Sequence, residues 1–109
     1  MRYNVQVTAG AERDLAEIVA YLVDREGTAI AGKILESILD AAAVLAQFPE
    51  RGSHPKELLA LGIKDFRQLI VRPYRLIYRV EGRAVFLYLV ADGRRDFQSL
   101  LERRLLRGH

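Results

Sequence analysis

The sequence predicts an α+β domain with elements in the order βααβββα, and three observations carry that prediction. Residues 66–96 hold three β-rich runs separated by turn chemistry, residues 8–48 hold apolar side chains at helical spacing, and residues 2–8 alternate apolar with polar. Alternation at period two marks a half-buried strand, whereas recurrence every three to four residues marks an amphipathic helix. With helices early and the meander late, a helical hairpin is expected on one face of a twisted antiparallel sheet.

Each element has a local reason. Tyr3, Val5 and Val7 alternate with polar neighbours, so Arg2 to Thr8 reads as a strand, either an edge or the partner of the central strand. Thr8 can cap the first helix, along which Leu15, Ile18, Val19 and Leu22 recur while Glu12, Asp14 and Glu17 favour its amino-terminal end. Gly27 closes that helix and Thr28 opens the next, whose stripe of Ile30, Ile34, Ile38, Ala41, Ala42 and Leu45 runs to the stop at Phe48-Pro49. Residues 48–64 form a long connection with one expected helical turn at Leu58 to Leu61. Such a loop in a small domain is often functional.

Pro73 has no amide proton for a ladder and breaks the meander between Phe66–Val71 and Arg75–Val80. In the second run Arg75, Ile77 and Arg79 share one face, and Leu76, Tyr78 and Val80 the other. Gly82 marks the second turn, and Ala84 to Ala91 is almost wholly apolar, as for a central strand covered on both sides. Phe97 to Arg107 reads as a last helix capped by Asp96.

At 109 residues the chain predicts one domain, residues 1–109. The absence of cysteine removes disulfide and thiolate chemistry, and two isolated histidines make no zinc site, so no metal and no cofactor is expected. No apolar run is long enough to span a membrane, and a cytoplasmic address with no membrane partner is the expectation. Charge is divided unevenly: residues 1–65 hold 7 Lys/Arg against 10 Asp/Glu, while residues 66–109 hold 10 arginines against 4 acids. Guanidinium forks suit geometric recognition of phosphate or carboxylate, so an anionic partner is expected at the face and rim that carry Arg75, Arg79, Arg94 and Arg95. These cations are expected to converge at one end of the sheet.

The segments Ala11 to Tyr21, Phe48-Pro49 with Arg51-Gly52, Arg67-Gln68-Leu69, Tyr74 to Val80 and Val90 to Asp96 resemble, in order, the RelE/ParE superfamily of bacterial type II toxin-antitoxin toxins. The resemblance implies a small basic toxin held in a hetero-oligomer by a cognate antitoxin. It also implies one of two targets: DNA gyrase, poisoned by ParE-like members, or messenger RNA in the ribosomal A site, cleaved by RelE-like members.

For RNA cleavage the resemblance places Arg75 and Arg95 as a clamp on the scissile phosphate and draws a catalytic lysine from the region of Lys56 and Lys64. The tyrosine expected in the final helix falls at Leu101 or a near neighbour, in a stretch whose only hydroxyl is Ser99, and His54 or the terminal His109 is the candidate replacement as general base. For gyrase inhibition the arginines need only bind, and Arg94, Arg95, Arg103, Arg104 and Arg107 form the contact set, with Arg67 and Arg79 as further anion contacts. The missing tyrosine favours the gyrase reading. A third possibility is a non-toxic interaction module.

Overall fold

The computed structural model describes residues 2–106, so Arg107 and His109 lie outside the described residues. Its elements are β1 (Asn4–Val7), α1 (Ala9–Glu26), α2 (Thr28–Val44), a one-turn α3 (Lys56–Leu59), β2 (Phe66–Val71), β3 (Tyr74–Glu81), β4 (Ala84–Asp92) and α4 (Phe97–Leu101). A π-helical turn, Glu102–Leu106, continues α4. The expected order is present, and the helical turn expected at Leu58 to Leu61 lies two residues earlier, at Lys56–Leu59.

The sheet order is β1-β4-β3-β2. β2, β3 and β4 form the antiparallel meander, but β1 pairs with β4 in parallel, so the sheet is mixed. The reason is the hairpin: two long helices carry the chain to the far edge of the sheet, where β2 runs parallel to β1, and after two antiparallel reversals β4 arrives beside β1 in the same direction. A register shift at Ile77/Tyr78 lets β4 keep Leu87 and Val90 facing the hairpin and Leu89 facing away.

Both sheet faces are packed. Ala11, Leu15, Ile38, Ala42 and Leu45 from the hairpin meet Leu76, Tyr78, Val85, Leu87 and Val90. Each fully buried apolar side chain contributes about 1.5–3 kcal/mol, which holds the hairpin on the sheet. The opposite face, expected to stand open around Arg75 and Arg79, is instead partly closed by Leu58 of α3 and by Phe97, Leu100 and Leu101 of α4, which cover Ile77, Leu89 and Ala91.

Helix ends follow their caps. The Thr8 hydroxyl accepts from the amide of Ala11 at 3.2 Å and donates to the carbonyl of Leu87 at 2.9 Å, joining the start of α1 to β4. Gly27, at φ 94°, sits in a region open to glycine and serves both helices of the hairpin. The Asp96 carboxylate accepts from the amide of Ser99.

β1 ends before β4 does, and Asp14 takes over its role. Its carboxylate accepts from the Val90 amide at 3.0 Å and receives the Arg104 guanidinium in a two-bonded fork at 2.9 and 3.0 Å, while Arg104 also donates to the Tyr88 carbonyl. One carboxylate thus joins α1, β4 and the last helical turn. Asp14→Ala leaves the Val90 amide without this acceptor and the Arg104 guanidinium with only the Tyr88 carbonyl, and is expected to cost about 2–3 kcal/mol. Asp14→Asn keeps the acceptor for Val90 and is expected to cost about half of that in urea unfolding.

Candidate functional site

β3 projects Arg75 and Arg79 from one face, four residues apart and hence about 13 Å along the strand. Arg75 is nearly enclosed, with its side chain 12% exposed. Its Nη1 and Nη2 donate to the two carboxylate oxygens of Glu57, each at 2.9 Å. The Gln68 amide oxygen accepts from Nε at 2.9 Å and from Nη2 at 2.6 Å, and the guanidinium lies over the Phe97 ring, 4.0 Å from its centroid. The absence of a side chain at Gly93 allows this approach, since a Cβ there would meet the Arg75 stem at 3.1 Å. The hydrogen bond from Arg75 pulls the Glu57 carboxyl below its ordinary 4.5, against the upward push of burial. Leu101, at the position where the resemblance wants a tyrosine, is buried at 1% exposure in the core beside this face.

Arg79 belongs to a different cluster. At the start of β2 it lines a pocket of about 260 Å³ with His54, Lys64 and Arg67, together with Glu50 and Asp65. Arg67 donates to the carbonyls of Gly52 at 2.8 Å and Glu50 at 3.3 Å. Arg79 pairs loosely with Asp65 at 3.6 Å and Glu81 at 3.4 Å. The loop that carries His54 is anchored by Tyr78, whose buried hydroxyl accepts from the Gly52 amide at 2.9 Å and donates to the Pro49 carbonyl at 2.8 Å. Ser53 adds a backbone bridge to Gln68.

Arg94 and Arg95 occupy a third place. They are exposed beyond β4, and Arg94 is bound by Asp92 through its Nε at 2.9 Å. Both line a cleft of about 600 Å³ between the helical hairpin and the sheet, whose floor is Ile18, Leu22, Ile34 and Val90 and whose helical wall carries Asp14, Glu17 and Glu26. Arg103 is exposed on the π-helical turn, Arg104 is tied to Asp14, and Lys56 is exposed at the first position of α3.

The single patch of cations expected from the sequence is therefore divided into three. Arg75 shares a recess with Arg94, whereas Arg67, Arg79, Lys64 and His54 gather at the far end of β3, and Arg94 and Arg95 face α1 and α2. Sequence reading did not find Glu57, Gln68, Asp14, Gly52 or Tyr78 as determinants of these places. For Glu57 the one available signal is an acid beside a predicted helical turn. Its partner lies 18 residues away, and no local pattern specifies that pairing.

Comparison with known proteins agrees with this architecture. Residues 5–97 match the family described as the ParE toxin of the type II toxin-antitoxin system parDE. No curated protein matches the sequence. Among solved structures, the chromosomal ParDE system of P. aeruginosa superposes with a TM-score of 0.70 at 20% identity, covering 84% of this chain and 96% of that one. The RelBE2 toxin-antitoxin complex of Mycobacterium tuberculosis gives 0.62 at 23% identity over 84% of this chain and 99% of that one. A double arginine-to-alanine variant of E. coli RelE in the free state gives 0.67 at 16% identity over the whole of both chains. At these identities the structures attest the shared α+β fold, while the sequence match over most of the chain places it more narrowly. The chain belongs to the ParE toxin family of type II toxin-antitoxin systems, and with it to the RelE/ParE superfamily.

Proposed function

We propose that the protein inhibits DNA gyrase by binding, in the ParE manner, and does not cleave messenger RNA. The observation that carries this is the engagement of Arg75. A phosphate clamp must present a free guanidinium to the scissile group, yet the Arg75 fork already holds Glu57 and Gln68, and an approaching phosphate would meet the Glu57 carboxylate. The tyrosine that the resemblance expects in the final helix, at Leu101 or a near neighbour, is missing as well, and the one hydroxyl of α4, on Ser99, donates to the Asp96 carboxylate. A binding inhibitor needs neither group. Its contact set is the exposed Arg94, Arg95 and Arg103 at the strand end and last helix, where cations project without a partner core to cover them.

The antitoxin that silences it is proposed to occupy the cleft between hairpin and sheet. An apolar floor between an acidic helical wall and Arg94 and Arg95 suits an amphipathic segment bearing both charges. Tyr21 and Ile30, 58% and 44% exposed beside that floor, would be covered in the complex. The ParDE and RelBE2 relatives are toxin-antitoxin systems, which supports a partner of this kind.

Pulse labelling after induction of the toxin tests the target. DNA synthesis is expected to stop first, with filamentation, while amino-acid incorporation continues; early arrest of translation would instead indicate the RelE-like nuclease, and unaffected growth a non-toxic module. Arg94→Gln with Arg95→Gln is expected to relieve the growth arrest while the protein stays folded, because both side chains are exposed.

A further inference from the structure

We propose that the pocket formed by His54, Lys64, Arg67 and Arg79 is a second anion site that takes the phosphodiester of a nucleic-acid backbone. The inference is independent of the gyrase reading, because the pocket lies at the far end of β3 from Arg75 and shares no residue with the hairpin cleft.

Geometry fixes the imidazole. His54 Nδ1 lies 3.0 Å from the Phe66 carbonyl oxygen. A carbonyl only accepts, so Nδ1 carries the proton and donates it to this oxygen. This hydrogen bond and the Ser53–Gln68 bridge use the outer edge of β2 at Phe66 and Gln68 and hold the ring at the rim.

The cations are positioned but not consumed. Arg67 uses Nη1 on two loop carbonyls, which orients the guanidinium without neutralising it. Arg79 is braced over the Phe66 ring at 5.7 Å, and its contacts to Asp65 and Glu81 are long and solvated, with side chains 40–55% exposed. Pairs of that kind contribute at most about 1 kcal/mol, so an anion can replace them at little cost.

Charge selects the ligand class. Lys64, Arg67 and Arg79 face Glu50 and Asp65, and Glu81 approaches Arg79 from the end of β3, so the fixed charges come close to balance. A lining that is not strongly cationic matches a singly charged diester better than a doubly charged monoester.

The probe is dimethyl phosphate, a monoanion at neutral pH, titrated at constant ionic strength into the isotope-labelled full chain and followed by NMR. Shifts confined to His54, Arg67, Arg79 and their neighbours are expected. Arg79→Gln is expected to weaken binding about tenfold, the size of one charge-assisted hydrogen bond. Asp65→Asn should tighten binding by releasing Arg79, and Lys33→Gln on the remote α2 surface should leave it unchanged. Short single strands of DNA and of RNA, added under the same conditions, are expected to move the same pocket resonances with similar affinity, since they share the backbone group. Shifts spread evenly over the cationic surface, strands that bind without moving the pocket, or wild-type binding by Arg79→Gln would overturn the assignment.

Discussion

Glu57→Ala is expected to lower the free energy of unfolding by about 3 kcal/mol, because it leaves a nearly enclosed guanidinium with no counter-charge. Two bonds at 2.9 Å disappear at once, and Arg75 is left with Gln68 and the face of Phe97, neither of which carries a negative charge. Replacing both partners, as in Glu57→Leu with Arg75→Met, is expected to restore stability to within about 1 kcal/mol of the parent, since apolar substitutes need no desolvated charge to be matched. The pair also sets an acid limit. A carboxyl whose folded value lies below its ordinary 4.5 contributes stability that is full above that value and is lost as pH falls through the folded one. Glu57→Gln is therefore expected to be less stable than the parent at neutral pH, with the gap closing as both are taken well below pH 4.5 in equilibrium unfolding.

Gly52→Ala is expected to cost about 3–4 kcal/mol through overpacking. A Cβ at this position would stand 2.3 Å from the Gln68 carbonyl oxygen and within 2.8–2.9 Å of the Tyr78 ring and hydroxyl, so neither rigid neighbour can yield and the loop itself must move. Moving it breaks the Gly52–Tyr78 hydrogen bond and the Ser53–Gln68 bridge. Tyr78→Phe separates the two effects: it removes the hydroxyl from the Pro49 carbonyl and the Gly52 amide but keeps the ring, and is expected to cost about 1–2 kcal/mol. If crowding by the new methyl group is the larger effect, the glycine variant is the less stable of the two in urea. His54 and Arg67 ride on contacts to the same loop, so Gly52→Ala should also weaken phosphodiester binding in the pocket.

Much of this fold is legible in the residues. The apolar run from Ala84 to Ala91 reads as a strand covered on both sides, and β4 lies in the sheet interior with helices on each face. Thr8, Gly27 and Asp96 mark helix boundaries because capping is a short-range property of a few consecutive residues. The alternation of β3 correctly assigns Leu76 and Tyr78 to the hairpin side and Arg75 to the other.

What was not legible depends on contacts between distant segments. Period-two patterning cannot tell a parallel from an antiparallel neighbour, so the mixed sheet had no local signal. Nor could it show that α3 and α4 would return over the face carrying Arg75. Glu57, Asp14 and Gln68 look like ordinary polar surface in the sequence; each acquires its role only when the fold brings a guanidinium or a strand amide beside it. The arginines of the carboxy-terminal half are a true compositional signal of affinity for anions, but composition does not say that acids from the other half neutralise Arg75 and Arg104 internally. Among the described residues of that half, Arg72, Arg83, Arg94, Arg95 and Arg103 stay exposed, Arg94 in contact with Asp92.

Incubation of the purified toxin with DNA gyrase, ATP and closed circular plasmid tests the target most directly. Toxin-dependent accumulation of linear plasmid, suppressed by prior addition of the antitoxin, is the predicted result; plasmid supercoiled at the uninhibited rate, with no linear product at any toxin concentration, would contradict it.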